Sequence, residues 1–345
     1  MDLVTQAVLG AAIGEAGWGK KLGASAARAG ALLGMLPDLD IVSGLAGQWA
    51  SLVHHRGVSH SLLFAPVMCA PLGYLGWRLS GRRGSPGAWM QLAFWAMWTH
   101  PLLDVFTSYG TQLLAPLSDR RFALDGVSIV DPLYTFPLIG ALIVASRLRE
   151  RRPGAGAKAC AAMLVATTCY LGLGTLQASR ARDAARAELE RQDHPDITQV
   201  RAMPTLANIW LWRVIARDSQ GDVFVGQHAQ LAPGPITFTR VTRPETPLIP
   251  AILADERGRI FHWFADNWIN YKIEEHAGGE TDVRMIDLRY GGVRDPVAPM
   301  WGAVASFGPD GQLRDVQRFQ ARGDMDIKAE LSALWRKVWG GGDTP

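Results

Sequence analysis

The stretch that decides the fold is His54–Leu79, "HHRGVSHSLLFAPVMCAPLGYLGWRL". It sets three histidines and an arginine directly before an apolar run that has no acidic residue and a single arginine, Arg78, near its end. Twenty residues, His60 to Leu79, are enough to cross a hydrocarbon core of about 30 Å. Working outward, similar runs occupy Gly87–Tyr109, Ile129–Ser146 and Ala157–Ala178, and Ala24–Gly47 is apolar but broken by "PDLD". The first half therefore reads as a helical membrane domain, residues 1–178, of about five to six helices counting one at the N-terminus.

The 48% hydrophobic content is concentrated in that half, and the basic residues explain why a net charge of +3 does not point to nucleic acid. Lys20 and Lys21, Arg78, Arg82 and Arg83, and "RLRERRPGAGAK" (Arg147–Lys158) sit in short loops between apolar runs, the bias that orients membrane proteins. A nucleic-acid surface needs a basic stripe on one folded face instead. With these loops in the cytoplasm, "LPDLD", "HHRGVSH", "THPLLD" and "SDRRFALDG" all reach the outer side, and the chain after the last span emerges there too. The expected location is the bacterial inner membrane, multi-pass, with an extracytoplasmic C-terminal domain. The N-terminal lysines follow the apolar run, opposite to a cleaved signal peptide. Cys69, Cys160 and Cys169 lie in apolar segments with no CxxC pair, so they read as packing residues.

From Ser179 to residue 345 the pattern changes. A charged helix, "SRARDAARAELERQ", precedes alternating runs "NIWLWRVIA", "DVFVGQHA", "RIFHWFA", "WINYKIEEH", "DVRMIDLRY" and "WGAVASF", separated by Gly- and Asp-containing turns. These predict a mainly antiparallel β domain closed by an amphipathic helix, "IKAELSALWRKVW", giving an α+β chain overall. His228, His262 and His276 fall in separate predicted strands without ligand spacing.

The chemistry is concentrated in the membrane half. Asp38 and Asp40 stand close together in "GMLPDLDIV", where an unpaired charge at membrane depth costs about 2.5 to 3.5 kcal/mol. A solvated loop is one reading and a cation site the other. The imidazoles of His54, His55 and His60 suit zinc and similar metals, or anchor a helix end at the interface. In "THPLLD", His100 and Asp104 at i and i+4 share a helix face if the helix continues through Pro101. Asp131 in "SIVDPLYT" reads as a further ligand, an acceptor for a ligand histidine, or an N-cap ahead of Pro132. Arg56, Arg120 and Arg121 are donors for a phosphate or carboxylate.

"LPDLD", "HRGVSHS" and "HPLLDVFTSYGTQLLAPLSDRRF", in that order, resemble the YdjM-type membrane-bound family, assigned to metal-dependent hydrolysis. The resemblance spans Asp2 to Pro132. It implies metal-ligand roles for Asp38, Asp40, His54 or His55, His60, His100 and Asp104. The chain departs from it at Thr5-Gln6, where many members have Thr-His, and its C-terminal half has no counterpart in the shortest members. The ligand order is also distantly similar to that of zinc-dependent phospholipase C and related nucleases.

The resulting expectation is an inner-membrane hydrolase using a divalent metal, zinc, to activate water against a lipid or lipid-linked phosphoester at the outer face. Asp38, His55 and Asp104 are its expected catalytic groups; Arg56, Arg120 and Arg121 bind substrate. The competing expectation is a non-enzymatic membrane scaffold or binding protein whose His/Asp cluster is structural; its protein partner cannot be read from the sequence. An intramembrane protease is disfavoured, as no HExxH occurs.

Overall fold

Small residues set how the first helices meet. α1 (Leu3–Leu22) and α2 (Ala24–Met35) are joined at Gly23, and Gly10 and Gly14 of α1 face Ala26, Gly30 and Gly34 of α2. A Cβ on Gly10 would lie 2.1 Å from the Gly30 carbonyl oxygen, and one on Gly30 would lie 2.1 Å from that of Gly10. Glycine at both positions lets the two backbones touch, the packing solution of membrane helices that lack a hydrophobic drive between them.

The computed structural model describes residues 1–152, 154–321 and 326–341. Two compact units form: Met1–Ala46, His54–Leu176 and Leu206–Asn208 in the first; Gly47–Val53, Gln177–Thr205 and the chain from Ile209 onward in the second. After α2, a 3-10 segment (Leu36–Ala46) carries "PDLD" and leads to α3 (Gln48–His54). A 3-10 turn (Val58–His60) then precedes α4 (Phe64–Leu79) and α5 (Pro86–Val105), which pack on each other. α6 (Pro132–Leu148) packs on α1, and α7 (Ala155–Arg191) merges the last apolar run and the charged segment into one continuous helix.

Among the described residues, two stretches are long and apolar enough to cross a membrane: Ala24–Ala46 and α7. A third span arises if Gln48–His60 and Phe64–Leu79, bent by 70° at their junction, count as one. The expected five to six membrane helices are corrected accordingly. α4, with 16 residues, and α6, with 17, reach only about 24–26 Å at 1.5 Å per residue. α5 has the length, but Gln91, His100, Asp104 and three tryptophans dilute its apolar character; Gln6, Glu15, Lys20 and Lys21 do the same to α1.

In the second unit, β1 (Ile197–Pro204), β2 (Leu211–Asp218), β3 (Val223–Ala229) and β4 (Thr239–Val241) form an antiparallel sheet in sequence order. α8 (Leu248–Ala254) and α9 (Glu256–Phe264) follow. β5 (Ile269–Glu275), β6 (Thr281–Asp287), β7 (Trp301–Phe307) and β8 (Leu313–Gln320) make a second antiparallel sheet, and α10 (Ile327–Val338) closes the described chain. Ile252 and Phe261 from the helices pack on Val283, Met285, Ala303 and Ala305 of the second sheet. "RIFHWFA" was expected as a strand and is α9. Asp255 caps it, accepting from the backbone N–H of Arg257 (2.8 Å) and Gly258 (3.1 Å), and Phe261 and Phe264 bury one helical face. His262 is therefore helical; burial lowers its pKa, and it meets the Tyr271 hydroxyl, itself pushed up to about 12 by burial, at 2.9 Å.

Gly30→Ala is expected to destabilise the protein by about 1–3 kcal/mol through overpacking against Gly10. Gly17→Ala, whose Cβ meets nothing within 4 Å, is expected to raise stability through helix propensity. Thermal melts in detergent check the opposite signs; equal shifts would refute the close helix contact.

Candidate metal centre

α5 continues through Pro101, so His100 and Asp104 lie one turn apart on its buried face. His60 enters from the 3-10 turn before α4 and Asp38 from the segment after α2. Four side chains from three chain regions thus converge, with one potential ligand atom from each lying within 4.8 Å of the others. His60 Nε2 is 2.9 Å from His100 Nε2, 3.4 Å from Asp38 Oδ1 and 3.3 Å from Asp104 Oδ2. His100 Nε2 is 3.5 Å from Asp38 Oδ1 and 3.6 Å from Asp104 Oδ2.

The outer partners fix both rings. His100 Nδ1 lies 2.6 Å from the Gly34 carbonyl oxygen, which can only accept, so Nδ1 carries the hydrogen. His60 Nδ1 faces Asp40 Oδ2 at 3.1 Å and Ser59 Oγ at 3.0 Å, and Ser59 gives its own hydrogen to Asp40. His60 Nδ1 is therefore the donor as well. In the neutral rings both Nε2 atoms are bare lone pairs pointing at each other, beside two carboxylates. Such an arrangement repels unless a cation lies among them.

The donor set fits a metal. Two imidazole nitrogens and two carboxylate oxygens suit zinc, and a tetrahedral ion with bonds of about 2.0–2.1 Å needs ligand atoms about 3.3 Å apart. The 3.3–3.6 Å separations match that edge, with the two nitrogens closer at 2.9 Å. Asp104 Oδ2 is buried and makes no hydrogen bond, with the Arg56 guanidinium as its charged neighbour at 3.3 Å. Asp38, His60, His100 and Asp104 are thus a group able to hold a metal ion.

Other expected ligands lie around this group. Asp40 is occupied: it takes the Arg56 backbone N–H at 2.9 Å and Ser59 Oγ at 2.8 Å, and meets His55 Nδ1 at 2.7 Å. It holds His60 from behind, the outer contact that a metal-ligand histidine would need. His55 stays on Asp40, and His54 is exposed at the end of α3. Asp131 caps α6, accepting from Leu133 N (3.0 Å) and Tyr134 N (3.3 Å), and takes the Tyr170 hydroxyl at 2.9 Å. The structure does not bring Asp40, His54, His55 or Asp131 into the four-residue group.

Arg56 is buried. Its Nε lies 3.3 Å from Asp104 Oδ2 and its Nη1 donates to Thr107 Oγ1 at 2.8 Å, so it braces the carboxylate. Arg56 itself takes the left-handed backbone, φ 61°, that turns the chain between the histidines; the neighbouring Gly57 does not. Arg121 donates to the Tyr109 carbonyl, and exposed Arg120 lies over Phe122. Gln6, which the sequence marked only as the departure from the family's Thr-His pair, donates its Nε2 hydrogens to Asp104 Oδ1 at 3.0 Å and to the His100 carbonyl at 3.2 Å. The Gly34 carbonyl had no side-chain signal at all.

A model of the YdjM inner membrane protein family matches residues 1–181. The chain belongs to this family. Inner membrane protein YbcI of Escherichia coli (strain K12) is 38% identical over 100 residues, 27% of this chain and 55% of that protein. The uncharacterized protein YfhP of Bacillus subtilis (strain 168) is 26% identical over 314 residues, 84% of this chain and 87% of that protein, so its similarity extends well past the YdjM region. No solved structure matches.

Zinc titration separates the rings of residues. His100→Ala is expected to abolish binding, Asp40→Asn to weaken it about 10- to 100-fold, and His54→Ala to leave it unchanged. Retained binding in His100→Ala, or loss in His54→Ala, would contradict this placement.

Proposed function

We propose that this YdjM-family chain is a metal-dependent inner-membrane hydrolase, with zinc held by Asp38, His60, His100 and Asp104. The observation that carries this is the pair of Nε2 atoms 2.9 Å apart beside two carboxylates, on rings whose Nδ1 atoms both face acceptors. When bound, the cation supplies Lewis acidity and an acidified water for attack at the scissile bond.

The chain's own residues divide the remaining work. Asp38 is 12% exposed whereas the side chains of His60, His100 and Asp104 are fully buried, so substrate approaches along Asp38. Exposed Leu39, Ile41, Val42 and Leu45 flank that approach in the same 3-10 segment. Their apolar side chains suit acyl or prenyl chains, which supports a lipid or lipid-linked phosphoester substrate. His55, 24% exposed and fixed on Asp40 through Nδ1, keeps the Nε2 lone pair to take the proton that the attacking water loses and pass it to the leaving group. Arg120 is exposed for a substrate phosphate. The distribution of basic loops supports an orientation with the site and the C-terminal domain on the outer face.

The purified protein, incubated with lipid extract and zinc, is expected to release phosphorylated head groups. His55→Gln should keep its metal while losing about a hundredfold in turnover. Stoichiometric metal without hydrolysis of any lipid fraction would leave a structural metal site and reject the enzyme; absence of metal would favour a scaffold.

A further inference from the structure

The last described helix, α10, has two apolar sides. Ala333, Leu334 and Val338 are buried against Leu211 and Val293 of its own unit. Beside them Ile327, Leu331, Trp335 and Trp339, each four residues apart, form a second stripe that is 69%, 40%, 51% and 71% exposed. Exposed Lys328 and Arg336 flank the stripe. Glu330, the one acidic residue within the helix, is turned away to the backbone N–H of Val293 at 2.5 Å.

We propose that this stripe docks in the interfacial layer of a bilayer carrying anionic lipids. Three features select that occupant. Tryptophan combines an apolar ring with an N–H donor and concentrates at the headgroup level of membranes. A row of Trp, Leu and Ile bordered by basic side chains is the composition of helices that lie in the interface plane, where each basic residue adds attraction to anionic lipid. The chain also carries its own membrane-crossing stretches, Ala24–Ala46 and α7, which keep α10 at high effective concentration near a bilayer. The inference does not depend on the metal centre or on hydrolysis.

The test uses the full chain in vesicles of phosphatidylcholine, with or without phosphatidylglycerol. Cys69→Ser and Cys169→Ser remove the accessible thiols and leave buried Cys160. A nitroxide is placed at Leu331→Cys, or at Gln220→Cys and Gln312→Cys in exposed turns. Collision with a water-soluble nickel chelate is expected to be about fivefold lower at residue 331 than at either turn, with oxygen collision raised. Phosphatidylglycerol should strengthen the protection, and Lys328→Glu with Arg336→Glu should reverse it. Equal chelate access at all three positions overturns the proposal. So does protection at 331 that rises with protein-to-lipid ratio, which would identify a second copy as the occupant.

Discussion

Two imidazole nitrogens held 2.9 Å apart, each on a ring whose other nitrogen faces an acceptor, are the constraint around which the first unit is arranged. The Gly34 carbonyl and Asp40 impose the tautomers; Asp38 and Asp104 supply the negative charge. Removing any one outer partner would let a ring rotate or take a proton on Nε2, and the group would become an ordinary buried ion pair. The family assignment and the geometry meet here, since all four members of the group lie within residues 1–181, which the family model matches.

The packing upstream serves that constraint. Gly10 and Gly30 allow α1 and α2 to touch, which keeps Gln6 of α1 on Asp104 and His100 while Gly34, near the end of α2, meets His100. The backbone contact and the ring orientation are therefore one arrangement, and a methyl group at the glycine contact would be felt at the four-residue group. Burial of Arg56 follows the same logic: placed against Asp104, the guanidinium balances a fully buried carboxylate.

Much of the site was legible because it obeys local periodicity. The i, i+4 spacing of His100 and Asp104 and the isolation of Asp38 in an apolar stretch both pointed to the group that forms. His60 was named from the sequence, but that neither His54 nor His55 joins it was not legible, because it depends on a left-handed turn at Arg56 rather than on any feature of the histidines. Backbone acceptors such as Gly34 leave no trace in composition. In the fold, long alternating strands such as β2 and β3 were readable, whereas "RIFHWFA" was ambiguous because a short apolar run fits either period and only the cap at Asp255 decides it. Apolar runs were legible as helices, but run length overstated the number able to cross a bilayer, since α4 and α6 stop short and α5 carries the site's polar residues.

The most direct measurement is the visible spectrum of the full chain titrated with cobalt(II), which replaces zinc in such sites and reports coordination geometry. The account predicts intense tetrahedral d–d bands that saturate at one ion per four-residue group and vanish in His60→Ala. A spectrum indistinguishable from hexaaqua cobalt, or one unaffected by that substitution, would contradict the claim that these two nitrogens share a cation.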